Sequence, residues 1–317
     1  MFALHLMLLV LLQIGIQWTN KIWRLKNMRN EKEMMDLILH TARDDERIRA
    51  VIMNGSRVNP NVKKDCFQDY DILYVVKDIK SFTSDHSWIN RFGERMIVQM
   101  PEESTLIPPE KDGMFPYLMQ FIDGNRIDLT LVPVSLVNES LDRDSLSVLL
   151  LDKDGCIEPF PPASDADYLI KRPSEKEFAD CCNEFWWCST NVAKGLWRKE
   201  LPYVKGMLEG PVRDMLIKML EWHIGIKTNF TVSAGKFGKY FEQYLENNIW
   251  KQYMDTFSNA EYENIWKSFF VMDDLFRETA IGIASYFGYE YPQDDDARVT
   301  SYLNHVKSMP KDSKKIY

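Results

Sequence analysis

Histidine and cysteine are scarce in this 317-residue chain, with five of each, and their placement excludes several chemistries. Cys66, Cys156, Cys181, Cys182 and Cys188 are odd in number, form no Cys-x-x-Cys pair and have no histidine nearby. That leaves neither a disulfide framework nor a zinc site, and a reduced, cytoplasmic setting is expected. The scattered histidines make no ligand cluster. Basic charge is also lacking: 39 Lys and Arg stand against 47 Asp and Glu, for a net charge of −8 and a pI near 5.3. Nucleic acid is therefore not expected as a partner, because a phosphate-binding surface needs a basic footprint. No apolar run reaches the roughly 20 residues that a spanning helix requires. Internal repeats and low-complexity segments are missing too.

What is present is the composition of a folded globular protein, 45% apolar, 27% charged and 13% aromatic. The length allows two domains, each with its own core. The first 27 residues stand apart. Positions 2–16 are almost wholly apolar, broken only by His5, Gln13 and Gly15, and Lys21, Arg24 and Lys26 follow with no acid among them. No basic region precedes the run and no small-residue cleavage site follows it, which is not the pattern of a secretory signal. Without those three cations the remainder is three charges more acidic, at −11. We read residues 1–27 as an apolar leader outside the fold, with membrane contact expected only through it.

From residue 28 to about 160, short strands alternate with helices, which indicates a mixed-sheet domain in an α+β protein. Residues 31–44 have helical spacing, with Met34, Met35, Ile38 and Leu39 set among charges. Residues 47–53, 69–76 and 95–100 read as strands, 85–92 as a short helix, and 147–151 as a further strand or a short helix. Residues 117–122 and 127–132 read as a hairpin closed by Asp123-Gly124-Asn125. Prolines at 159–162 mark a linker. Long helical patterns then dominate 161–317, at 175–199, 212–226, 239–248 and 262–287, so the second domain is a helical bundle. Ser174 with Glu177 three residues on is a capping box.

The chemistry concentrates at residues 54–71, Asn54 to Asp71. A Gly55-Ser56-Arg57 turn leads to a loop, and then Asp69 and Asp71 stand one residue apart at the start of an apolar strand. Alternation puts both carboxylates on one face, with Tyr70 on the other. Two like charges on one face raise each other's pKa unless a cation sits between them, and hard oxygen ligands favour magnesium. Asp128 and Thr130 share one face of the strand Arg126-Ile127-Asp128-Leu129-Thr130-Leu131. If that strand lies beside the first, three carboxylates converge. The small Gly55-Ser56 turn lets its backbone approach a phosphate. A phosphate cradle beside a three-carboxylate metal site is what nucleotidyl transfer requires, with one carboxylate taking a proton from the attacking hydroxyl.

These residues also resemble a family, the aminoglycoside 6-adenylyltransferases that inactivate streptomycin, within the polymerase-β-like nucleotidyltransferases. The matching stretches are MRNEKEMMD, DERIRAV, GSR, FQDYDI, RIDLTL, LLLDKDG, FADCCNEFW and KGLWRKE, and they cover nearly all the chain after the leader. The resemblance implies transfer of AMP from ATP to a streptomycin hydroxyl, with magnesium as cofactor. It implies Asp69, Asp71 and Asp128 as metal ligands and Asp128 as general base. It also implies nucleotide contacts from Gly55, Ser56 and Arg57. Two positions depart from the family as we know it: Asn54 stands where Glu is usual, and Lys218 where Arg is usual.

On the helix at 175–199, Asp180, Glu184, Trp187, Asn191, Lys194 and Arg198 form one stripe, with Phe178, Cys182, Phe185, Val192 and Leu196 opposite. The helix dipole alone would favour acids early and bases late. With the resemblance, Asp180 and Glu184 become candidates to receive the guanidinium groups of streptomycin, and Trp187 a flat wall beside them. Lys236 and Lys239, near a turn, are candidates for reaching a triphosphate. Two rivals follow: a nucleotidyltransferase of the same fold with another acceptor, and a catalytically silent nucleotide-binding protein.

Overall fold

Strong local signals set most of the elements, and a computed structural model shows how they assemble. It describes residues 28–106, 108–110, 112–137, 144–155 and 157–317; the leader and Cys156 lie outside these residues. The chain divides into two compact units, one running as far as Asp167 and the other over Tyr168–Tyr317.

The first unit is a mixed sheet. Helix α1 (Glu31–Asp44) starts at a capping box in which the Asn30 side chain accepts the Glu33 N–H at 3.0 Å and the Glu33 carboxylate accepts the Asn30 N–H at 2.7 Å. The sheet strands are β1 (Ile48–Asn54), β2 (Tyr70–Val76), β3 (Arg95–Gln99), β4 (Phe115–Phe121), β5 (Arg126–Pro133) and β6 (Ser147–Asp152), in the order β3-β4-β5-β2-β1-β6. All neighbours are antiparallel except β2 and β5, which run parallel. The expected β4–β5 hairpin is present, and Gly124 takes the positive φ its turn demands.

Period-2 alternation gives the sheet two apolar faces. Met34, Ile38 and Ala42 of α1 pack with Val51, Ile72, Tyr74 and Leu129 on one, and Tyr74 donates its hydroxyl to the Ile38 carbonyl at 2.6 Å. Ala50, Ile52, Val75 and Val132 form a smaller cluster on the other. Each fully buried side chain of this kind contributes about 1.5–3 kcal/mol. Because Tyr70, Ile72 and Ile127 are committed to the α1 face, Asp71 and Asp128 are left on the opposite one.

The second unit is helical. Ser174 and Glu177 form the expected capping box, and α2 (Glu175–Arg198) ends where Lys199 enters the left-handed region at φ 60°. Phe178, Cys182, Phe185, Val192 and Leu196 are buried as the periodicity requires, and Phe185 stacks on Phe276 at 3.7 Å between ring centres. There follow α3 (Leu201–Met207), a π turn containing Pro211, α4 (Arg213–Lys227), α5 (Asn247–Asp255), α6 (Tyr262–Phe287) and α7 (Gln293–Ser308). The helix expected over 239–248 is broken. Lys236–Gly238 is a 3-10 turn, Phe241–Tyr244 a single helical turn, and Leu245 is extended before α5 begins. Leu245 and Glu246 are both extended at ψ 147°, so the helical turn ends there and a new helix begins at Asn247. Helix α7 escaped the sequence reading because its N-terminal half is acidic; the Asp296 carboxylate is held by Arg277 of α6 at 2.6 Å. Among the described residues no helix is long and apolar enough to cross a membrane.

Candidate active site

The parallel pairing of β2 with β5 decides the geometry. Asp71 lies opposite Asp128, and on its other side β1 places Asn54 opposite Asp71. Directly opposed residues share a face, so Asn54, Asp71 and Asp128 form a row across three adjacent strands. Asp69, in the loop just before β2, reaches the same group through Arg126, whose Nε lies 3.6 Å from the Asp69 carboxylate.

The turn after β1 is shaped around this row. Gly55 takes φ +79°, and a methyl group there would stand 2.1 Å from Asp71 Oδ2. Glycine is thus required twice, for the backbone conformation and for the space the carboxylate fills. Arg57 is nearly buried. It donates Nε to the Asp69 carbonyl at 3.0 Å and Nη2 to the Gln68 carbonyl at 2.7 Å, and it lies over the Tyr70 ring at 3.7 Å. It therefore ties the loop carrying Asp69 to the turn. The Ser56 carbonyl accepts from the Gln68 side chain at 3.1 Å, a second such tie.

Electrostatics follow from crowding. Burial pushes the Asp71 carboxyl up to about 6, and the charges of Asp128 and Asp69 add to the rise against the pull of Arg126 and Arg57. Asp69 is raised as well, mainly by burial. Arg126 forks onto Asp128 with two 2.7 Å hydrogen bonds. It was not singled out from the sequence, where an arginine before Ile-Asp-Leu looks like an ordinary strand-edge residue.

A divalent cation suits this donor set. The oxygens belong to three carboxylates and to Asn54, whose buried Oδ1 has no hydrogen-bond partner. An orphaned buried acceptor beside crowded carboxylates is relieved by a hard cation of the magnesium type. Among the described residues no three His, Cys, Asp or Glu side chains are gathered closely enough to form a ready metal cage.

In the helical unit a pocket of about 780 Å³ is lined by α2, α4 and the segments around 168–173 and 233–236. Asp180 and Glu184 both line it, with Glu177 and Glu221, and so does Lys236. Two residues assigned to different ligands from the sequence, Glu184 and Lys236, therefore share one cavity. Trp187 is 67% exposed and, among the described residues, is not part of the lining. Nor is Lys239, whose ammonium lies 5.0 Å from the centre of the Tyr240 ring.

The family model described as streptomycin adenylyltransferase matches residues 28–306. The chain belongs to that family. It is 44% identical over 280 residues to an aminoglycoside 6-adenylyltransferase of Campylobacter jejuni, covering 88% of this chain and 96% of that protein. It is 43% identical to one of Bacillus subtilis (strain 168), covering 88% and 98%. For one of Staphylococcus aureus the identity is 37%, covering 84% and 94%. A crystal structure of an aminoglycoside 6-adenyltransferase from Bacillus subtilis is similar at 39% identity, with a TM-score of 0.45, covering 89% of this chain and all of that one. The protein is an adenylyltransferase, and so a nucleotidyltransferase. Sequence reasoning passed over two residues, Arg126 and Glu221. Arg126 is found only by seeing its partners, and Glu221 only by seeing which side of α4 lines the pocket.

Proposed function

We propose that the protein transfers AMP from ATP to a hydroxyl of streptomycin, releasing pyrophosphate and thereby conferring resistance to the drug. The row of Asn54, Asp71 and Asp128 across β1, β2 and β5, beside a left-handed Gly55, carries this reading. The family description and the printed names of the relatives supply the acceptor class.

Asp69, Asp71 and Asp128 would hold magnesium, which when bound supplies charge neutralisation for the triphosphate and the departing pyrophosphate. The Gly55-Ser56 turn brings backbone close to a phosphate without a side chain in the way. Arg57 keeps the Asp69 loop in place through its two carbonyl contacts. Asp128 receives the proton of the attacking hydroxyl on a lone pair that the Arg126 fork leaves open. On the acceptor side, Asp180 and Glu184 are set to accept from guanidinium groups in the pocket.

The test is a pyrophosphate-release assay with ATP, magnesium and a panel of aminoglycosides. Release with streptomycin supports the reading, and release only with another acceptor replaces the substrate. ATP binding by calorimetry with no release for any acceptor would sink it in favour of a silent nucleotide-binding protein. Asp71→Ala should abolish release while the circular dichroism spectrum stays that of wild type.

A further inference from the structure

All four carboxylates lining the helical pocket have a partner, and the pairings differ in kind. Glu177 closes the capping box of α2, accepting from the Ser174 amide at 2.7 Å and its hydroxyl at 2.8 Å. Asp180 is paired with Lys176 one turn back, on a face where both side chains are mostly exposed. Glu184 accepts from the Cys188 thiol at 3.2 Å, a weak donor that leaves the carboxylate available.

Glu221 differs from all three. It projects from α4 beside the buried Trp222, and its side chain is only 24% exposed. Among the described residues it has one partner, Lys218 at 3.4 Å, a half-exposed side chain one turn back. A carboxylate so poorly solvated is unfavourable unless firmly paired. A single flexible ammonium at that distance compensates little. Burial accordingly holds the Glu221 carboxyl above the ordinary range, against the opposing pull of Lys218.

We propose that Glu221 is the cation anchor of the acceptor pocket, taking a guanidinium or ammonium group of the aminoglycoside in exchange for Lys218. This rests on the aminoglycoside reading given above and adds a specificity-determining residue to it. A guanidinium offers two parallel donors to a carboxylate, whereas the lysine tip is a point charge, so the exchange improves the pairing of a poorly solvated group. Glu184 on α2 supplies a second acceptor for a polycationic ligand. The pocket volume lies within the range of small-molecule sites. Lys218 is thus a resident competitor, and its loss should help the ligand.

The experiment is calorimetric titration of streptomycin into the full chain without nucleotide, for wild type, Glu221→Gln and Lys218→Met, with steady-state kinetics on each. Glu221→Gln should weaken binding at least about tenfold, the scale of a charged hydrogen bond. It should also raise the KM for streptomycin in greater proportion than it lowers kcat. Lys218→Met should bind streptomycin several-fold more tightly than wild type. Binding by Glu221→Gln within twofold of wild type overturns the proposal. If that variant does not fold, Lys218→Met decides: unchanged or weaker binding there overturns it. A wild type that binds no aminoglycoside at all overturns the acceptor reading and this proposal together, whereas a wild type that binds while both variants match it overturns this proposal alone.

Discussion

Replacing Gly55 by alanine probes the active-site row without changing the chemical identity of any of its polar groups. The added Cβ would lie 2.1 Å from Asp71 Oδ2 and 3.0 Å from its Cγ, where ordinary contact begins near 3.4 Å. Either the carboxylate or the turn must therefore shift by more than about 1 Å, a misplacement that costs on the order of 100-fold in rate. That corresponds to about 2.7 kcal/mol of transition-state stabilisation. Holding alanine at φ +79° adds about 1–2 kcal/mol of backbone strain to the folded state. Gly55→Ala should therefore release pyrophosphate about 100-fold more slowly at saturating ATP and acceptor, and melt a few degrees lower, with an unchanged far-ultraviolet spectrum. A well-folded Gly55→Ala enzyme with kcat within twofold of wild type would refute the role assigned to Asp71 and to the space beside it.

Arg126→Met removes the fork on Asp128 and the contact with Asp69. With that cation gone, the nucleotide-free protein should bind Mn²⁺ more tightly than wild type in an electron paramagnetic resonance titration. Equal affinity would show that the guanidinium does not compete for the site. Asp273 of α6 is fully buried with neither carboxyl oxygen partnered, and burial raises its pKa well above the ordinary value. The folded state therefore holds a proton that the unfolded chain releases near pH 4, so stability falls as pH rises above that point, by up to about 1.4 kcal/mol per unit. Asp273→Asn should flatten the fall in urea-unfolding free energy as pH rises above the ordinary carboxyl range, and parallel curves for the two proteins would contradict this. Ser174→Ala removes the acceptor that caps α2 through the Glu177 N–H, and should lower stability by about 1 kcal/mol in thermal melts while leaving the KM for ATP unchanged.

Features that depend on neighbours in the sequence were legible at once. The capping box of Ser174 and Glu177, the buried face of α2, the Asp123-Gly124-Asn125 hairpin and the placement of Asp69 and Asp71 at the head of β2 all arise from spacings of a few residues. The same local logic failed where backbone conformation overrode periodicity. Residues 239–248 carry a helical pattern, yet the extended Leu245 and Glu246 interrupt it. The capping box of Asn30 and Glu33 went unread although its signal lies in the sequence, because asparagine in place of serine or threonine makes the pattern less conspicuous.

The sequence by itself thus determined which residues carry charge at a turn and a strand end, and which faces of the helices are apolar, because alternation and helical pitch are properties of adjacent residues. It could not decide that β5 lies parallel to β2 with Asp128 opposite Asp71, since register between strands about 50 residues apart is set by packing of both sheet faces. Nor could it show that Arg126 bridges two of the carboxylates, or that Glu221 and Lys236 line one cavity with Asp180 and Glu184. Those pairings exist only once distant segments are brought together, and in a medium of low polarity such contacts decide how each charge behaves.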